Sequence, residues 1–248
     1  MLAAAYVVQL SDPDPWWHLA TGRWIVEHHA IPRVDPFSFT VAGAPWRAVD
    51  WLADLVLYGS FALAGNAGLG ALTALAAFAM LLALGLALRE LEVSTATAVA
   101  IVACAGVMVQ GRYSMARPMT LGAAALCATL YLCARSWQRG DRSVLAAAPL
   151  IVVWSALHPS ALVGGVLLGV FALAAVVTRQ PTARWFGAAM GLALLLAAAV
   201  PSARGLLAVA AAHDRATLAL ALTVEWARPR LGDRELWLPA LGLLASTA

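Results

Sequence analysis

Long apolar runs separated by short polar connectors constrain this 248-residue chain more than any other feature. After Gly65 and Asn66, residues 67 to 88 form a full-length apolar run, and shorter runs follow at about 95 to 110, 119 to 134, 145 to 157, 160 to 178, 185 to 200 and 236 to 247. A helix needs roughly 20 apolar residues to cross a bilayer, and only helices or closed barrels satisfy their backbone there. The pattern therefore predicts an all-α, polytopic membrane helical bundle.

Composition agrees with a membrane location. The chain is 62% apolar and 12% charged, whereas an ordinary soluble domain is roughly 45–50% apolar and 25% charged. One globular core of this size could not bury so much apolar surface, which excludes an ordinary soluble enzyme. The net charge is +3, but the arginines are scattered singly between apolar runs, so we expect no nucleic-acid partner.

We expect residues 1 to 248 to form a single transmembrane domain. Residues 11 to 50 are polar and aromatic and are expected to form a long outer loop. Within this loop, Asp14 at the cap and Pro15 at the first position predict an amphipathic surface helix over 16 to 29. Residues 51 to 64 are too short to span comfortably and predict an interfacial or partly inserted helix.

The two ends of the chain resemble incomplete helices. Residues 1 to 10 lack the basic region and cleavage motif of a signal peptide and resemble the second half of a membrane helix. Residues 67 to 247 are expected to hold multiple spans, with an outer segment at 201 to 235. The last apolar run ends with the chain, which predicts a truncated or partial protein.

The connectors predict an orientation. If 11 to 50 faces outward, the loops 89 to 94, 135 to 144 and 179 to 184 face inward, and together they carry six arginines. The two short outer loops carry Arg112 and Arg117 only. This positive-inside bias predicts a multi-pass protein of the bacterial cytoplasmic membrane with its site on the outer, periplasmic side.

Two carboxylates stand at the start of the outer loop. Asp12 and Asp14, held between prolines at a membrane boundary, could bind a divalent cation or deprotonate an acceptor hydroxyl. The simpler alternative is that Asp14 is a helix cap and Asp12 a turn residue.

Arg117 and His158 lie at the predicted outer ends of helices, each followed by proline. A guanidinium at a helix start could hold a phosphate through paired donors. The alternatives are an arginine that extends to the membrane surface and a histidine bonded to a backbone carbonyl.

Taken in order, these pieces resemble bacterial membrane proteins related to the GT-C glycosyltransferases, a class that includes protein mannosyltransferases and lipid A aminoarabinose transferases. The resemblance rests on DPDPWWHLATGRWI (12 to 25), IPRVDPFSFT (31 to 40), Pro45-Trp46, Asp50-Trp51-Leu52, Arg117-Pro118, Trp154 to His158 and Glu225-Trp226 with Pro229. It implies a cavity in the outer loop for a polyprenyl-phosphate sugar donor.

The resemblance also implies roles. Asp12 or Asp14 would be the catalytic acidic residue, positioning or deprotonating the acceptor or holding a metal. The leaving phosphate needs cationic help, for which Arg117 is the first candidate and Arg33 and Arg204 are others. The substrate contacts expected to complete the site come from Trp17, His18 and His158.

The expected reaction is transfer of a sugar from a polyprenyl-phosphate donor to a lipid, glycan or protein acceptor. Relatives have a polar pair where this chain has Val49-Asp50, and an asparagine where it has Ala156. These departures leave a second hypothesis open, a non-catalytic membrane subunit that binds lipid or a partner protein. A transporter is third, although no ionisable residue was found deep in a span.

Overall fold

The computed structural model describes residues 14 to 112, 116 to 200 and 203 to 204. These residues form seven α-helices and one 3-10 turn, and within them no strand is present beyond an isolated bridge between Val34 and Pro45. The α-helices are α1 (Asp14–His28), α2 (Trp51–Glu90), α3 (Thr95–Arg112), α4 (Pro118–Arg139), α5 (Ala147–Leu157), α6 (Ala161–Val177) and α7 (Ala183–Ala199), with the 3-10 turn at Ser143–Ala146. The all-α prediction is confirmed for this part of the chain.

Helix boundaries follow local sequence signals. Arg117 is the extended N-cap of α4 and Pro118 its first residue, the position where proline costs no hydrogen bond. Gly140 ends α4 in the left-handed conformation with φ +70°. Helix α2 is kinked at Ala64 and Gly65, where Gly65 has φ +56°, a value that favours glycine. This kink separates 51 to 64 from the following apolar run, as the sequence predicts.

Two helices, α2 and α4, are long and apolar enough to cross a membrane by length and composition. Four shorter apolar helical segments lie at 95 to 107, 143 to 157, 161 to 177 and 183 to 199. Large apolar side chains are more than half exposed on the outside of several helices, including Leu75, Phe78, Val166, Leu173, Leu194 and Leu195. So many exposed large apolar side chains are unusual on a soluble monomer.

The helices run alternately between two ends of the bundle. At one end Arg139 of α4 pairs with Glu90 of α2 at 2.6 Å, and the connectors 89 to 94, 135 to 144 and 179 to 184 meet there. We call this the arginine end. The opposite end, which we call the site end, holds α1, the loop 29 to 50, the start of α4 and the α5–α6 turn.

Trp154 is the largest fully buried side chain among the described residues, with 1% of its surface exposed. It fits between two helices because Gly122 of α4 and Gly164 of α6 present no side chain. A β-carbon would come within 2.9 Å of the indole at Gly122 and 2.4 Å at Gly164. Truncating a buried tryptophan typically costs about 3–5 kcal/mol, so this contact contributes strongly to holding α4, α5 and α6 together.

Candidate functional site

Helix α1 lies directly against the first part of α2. Its buried side includes Leu19 and Gly22, and a β-carbon at residue 22 would lie 2.2 Å from the backbone oxygen of Asp54 and 2.6 Å from the β-carbon of Tyr58. This close approach brings the polar residues of α1 onto the face of α2 that carries Asp54.

His18 and Asp54 form a hydrogen-bonded pair between these two helices. His18 Nδ1 lies 2.6 Å from Asp54 Oδ1, and the two side chains are 16% and 5% exposed. An ionised Asp54 accepts the Nδ1 proton, which leaves Nε2 of His18 with a free electron pair. A carboxylate that orients a histidine in this way is a common arrangement for general-base catalysis.

Asp50 supplies a second carboxyl group one helical turn before Asp54. It is the N-cap of α2 but its side chain makes no cap hydrogen bond, and Asp50 Oδ1 is buried with no partner in the described part of the chain. Burial, partly opposed by the charge of His18 and aided by that of Asp54, raises the pKa of Asp50 to about 7. Asp50 can therefore hold or release a proton near neutral pH.

His158 lies in the turn between α5 and α6, in a hydrogen-bonded chain that begins in the core. Trp154 Nε1 donates to Ser160 Oγ at 3.2 Å, and Ser160 Oγ lies 2.7 Å from His158 Nδ1. The backbone N–H of Ser160 also donates to His158 Nδ1 at 3.1 Å. Because a backbone N–H can only donate, Nδ1 must carry the lone pair, and the neutral ring has its proton on Nε2.

Burial and charge both disfavour a protonated His158. Burial first, and the charge of His18 second, lower the pKa of His158 to about 4. His18, Asp50, Asp54 and His158 all lie at the site end, contributed by α1, α2 and the α5–α6 turn. At neutral pH His158 is an uncharged N–H donor rather than a cation.

Arg117 joins the same end from the start of α4. Its Nη2 lies 3.2 Å from Asp14 Oδ2, with side chains 20% and 51% exposed. A small cavity adjoins Arg117 between α2 and α4, lined by Leu57, Leu72, Thr73, Ala76, Ala116, Thr120 and Leu121. Its volume is about 10 Å³, roughly the space of one water molecule and far below the roughly 300 Å³ of typical small-molecule pockets.

An aromatic group covers the outer side of α1. The ring of Trp17 lies 5.2 Å from Phe37 and 5.9 Å from Trp46, edge to face in both cases. The loop that carries these rings is closed by Asp35, whose carboxylate accepts hydrogen bonds from the backbone of Phe37 and Ser38 and from the Ser38 hydroxyl. Hydrogen bonds to the charged form, the Ser38 hydroxyl first, lower the pKa of Asp35.

The structure brings together some of the sequence-predicted site residues but not all of them. Asp14, Trp17, His18, Arg117 and His158 lie at the site end, as described above. Asp12 lies outside the described residues. Arg33 is an exposed loop residue whose carbonyl accepts the Trp46 N–H at 2.9 Å. Arg204 is exposed just beyond α7, the helix that ends on this side.

A metal site has no support among residues 14 to 112, 116 to 200 and 203 to 204. They contain no group of three His, Cys, Asp or Glu side chains that could hold a metal ion. The divalent cation expected at Asp12 and Asp14 stays a prediction, because Asp12 is not described.

Sequence reasoning missed Asp54 and did not assign a role to Asp50. A signal for Asp54 was present, because it is the one charged residue in the apolar helix over 51 to 64, and a lone carboxylate in such a helix is costly unless it has a partner. Its partner, His18, lies 36 residues earlier, so the pairing depends on how α1 packs against α2.

Comparisons with protein-family models, curated proteins and solved structures found no significant match.

Proposed function

We propose that this protein is a GT-C-like membrane glycosyltransferase that moves a sugar from a polyprenyl-phosphate donor to a lipid, glycan or protein acceptor. The observation that supports this function best is the His18–Asp54 pair at 2.6 Å, which shares one end of the bundle with Arg117. Attack of an acceptor on a sugar phosphate needs both a base and a cation. The acceptor must lose a proton, and the leaving phosphate gains negative charge.

His18 is the general base in this proposal. Nε2 of His18 takes the proton of the acceptor hydroxyl while the acceptor oxygen forms a bond to the anomeric carbon of the sugar. The bond from that carbon to the phosphate oxygen breaks, and its electron pair stays on the polyprenyl phosphate. Asp54 accepts the Nδ1 proton of His18 and stabilises the imidazolium that forms. In this proposal His18, which lies in the same DPDPWWH segment, has the catalytic role expected of Asp12 or Asp14.

Arg117 stabilises the leaving group. Its guanidinium is paired with the exposed carboxylate of Asp14, so an incoming phosphate would compete with that carboxylate for the same donors. His158, neutral with its proton on Nε2, can add an uncharged donor. The cavity beside Arg117 is smaller than a whole donor, so in this proposal the sugar and lipid chain lie outside it.

The membrane setting belongs to the same proposal. Helices α2 and α4 span the bilayer, the shorter apolar helices accompany them, and the site end faces the periplasm of a bacterial cell. The exposed apolar surfaces of α2, α6 and α7 support contact with lipid chains, and the six arginines at the opposite end support a cytoplasmic position for that end.

Donor turnover by the purified, reconstituted full chain tests this function. Polyprenyl-phosphate glucose, mannose and aminoarabinose are supplied in turn with a bacterial membrane extract as acceptor, and released polyprenyl phosphate is measured. We expect release from at least one donor, reduced about 10²–10⁴-fold by His18→Asn. His28→Asn, at an exposed position on the same helix, is the matched control and should retain full activity.

Three results would count against the proposal. No release from any donor would contradict the activity itself. Full activity of both His18→Asn and Asp54→Asn would contradict the assignment of the base. Stoichiometric recovery in a larger membrane complex without bound polyprenyl phosphate would favour a non-catalytic subunit instead.

A further inference from the structure

Two arginines at the arginine end share one tryptophan. The guanidinium carbon of Arg142 lies 4.6 Å from the centre of the Trp185 ring, and that of Arg184 lies 4.7 Å from it. Arg142 comes from the connector before α5, and Arg184 and Trp185 come from the first turn of α7. Because both distances end on one ring centre, the two guanidinium carbons are at most 9.3 Å apart, although Arg142 and Arg184 are 42 positions apart in sequence.

Two carboxylates at the arginine end, Glu90 and Asp141, are paired with other arginines. Glu90 pairs with Arg139 at 2.6 Å and Asp141 pairs with Arg135 at 3.0 Å. Within the described residues, Arg142 and Arg184 form no ion pair with a carboxylate. Two exposed guanidiniums without a counter-charge, fixed on an aromatic ring, form a local excess of positive charge suited to an anion.

Exposed apolar side chains lie at the same end of the bundle. Val176 and Val177, at the end of α6 and just before the connector to α7, are 63% and 71% exposed. Tryptophan is favoured where lipid headgroups meet hydrocarbon, since it has an apolar ring and one polar N–H. A ligand that matches both features has an anionic group joined to apolar chains, which describes a phospholipid better than a free anion.

We propose that Arg142, Arg184 and Trp185 bind the phosphate of an anionic phospholipid headgroup at the arginine end of the bundle. The guanidiniums donate to the phosphate oxygens, Trp185 keeps both arginines in place, and the acyl chains lie over Val176 and Val177. This site rests on the membrane setting proposed above but does not depend on glycosyl transfer, so activity and lipid binding can fail separately.

Lipid retention by the purified full chain tests the site. The protein in detergent is exposed to phosphatidylglycerol or phosphatidylcholine, and bound lipids are counted by native mass spectrometry. We expect a preference for phosphatidylglycerol that the double variant Arg142→Gln/Arg184→Gln lowers by about fivefold or more, since a basic residue near an anionic surface contributes about that factor. The matched control is Arg89→Gln/Arg179→Gln, which removes two exposed arginines from the same end and should keep the preference.

A second readout locates the lipid. Phosphatidylglycerol with brominated chains should quench part of the tryptophan fluorescence, and Trp185→Phe should remove that part. Equal retention of both lipids, or an equal loss in the control variant, would overturn the proposal. Displacement of phosphatidylglycerol by millimolar inorganic phosphate would also overturn it, because the site would then bind a free anion.

Discussion

Replacing Gly22 with alanine should move α1 away from α2 and break the hydrogen bond between His18 and Asp54. The new β-carbon would lie 2.2 Å from the Asp54 carbonyl oxygen, whereas ordinary van der Waals contact begins at 3.4 Å. The helices must therefore move apart by about 1 Å, because the atoms in contact are backbone and a β-carbon rather than the end of a flexible side chain. The same shift would lengthen the 2.6 Å contact between His18 Nδ1 and Asp54 Oδ1 beyond hydrogen-bond distance.

The cost of Gly22→Ala can be estimated from its parts. Overpacking typically costs about 1–3 kcal/mol, and loss of a hydrogen bond to a charged group costs about 1.5–3 kcal/mol. Alanine is better than glycine in a helix by about 0.5–1 kcal/mol, which offsets part of this loss. We expect a net destabilisation of about 1.5–5.5 kcal/mol.

Thermal unfolding in detergent, followed by helical circular dichroism, measures this effect. The matched control is Gly59→Ala on α2, where a β-carbon would have no neighbour within 4 Å. The control should gain about 0.5–1 kcal/mol from helix propensity, so the two substitutions should change the melting temperature in opposite directions. A Gly22→Ala protein as stable as the control would refute the close approach of α1 to α2.

Two pH-dependent effects should follow from the buried groups of the site end. The pKa of Asp50 is raised to about 7, so its contribution to stability is fully present below about pH 4 and is lost as the pH rises through 7. The free energy of unfolding of Asp50→Asn, measured by chemical denaturation, should equal that of wild type near pH 4 and exceed it by up to about 4 kcal/mol at pH 8. An equal difference at both pH values would contradict this reasoning. The pKa of His158 is lowered to about 4, so its contribution is present above about pH 6.5 and is lost as the pH falls through 4. As the pH falls from 6.5 to 4, the free energy of unfolding of wild type should decrease by up to about 3 kcal/mol more than that of His158→Asn. Identical pH profiles for the two proteins would show that the ring is not buried in its neutral form. His28→Asn serves as an exposed control.

Local signals predicted the helices well. Asp14 and Pro15 predict the start of α1, Gly65 the kink of α2, and Pro118 the start of α4, because each acts on its own backbone. The Arg23–Glu27 pair at 2.7 Å has the same local origin, since the two residues lie one turn apart on α1.

The candidate site was harder to predict because its contacts join distant parts of the chain. His18 pairs with a residue of another helix, and the orientation of His158 depends on Ser160 and on the buried ring of Trp154. Apolar periodicity predicts which residues can form a helix, but it does not predict which helices pack against each other. Gly22 illustrates the difference, since its lack of a side chain matters only when α2 is beside it.

The Trp154 contact makes one part of the site end more resistant to local unfolding than another. His158 is hydrogen-bonded through Ser160 to Trp154, the largest fully buried side chain described. The loop carrying Phe37 and Trp46 is instead closed mainly by a few backbone hydrogen bonds and the carboxylate of Asp35. Local unfolding should therefore release the loop at a much lower free energy than the histidine turn. The backbone amides of the loop carrying Phe37 and Trp46 should therefore exchange their hydrogens while those of the His158 turn stay protected.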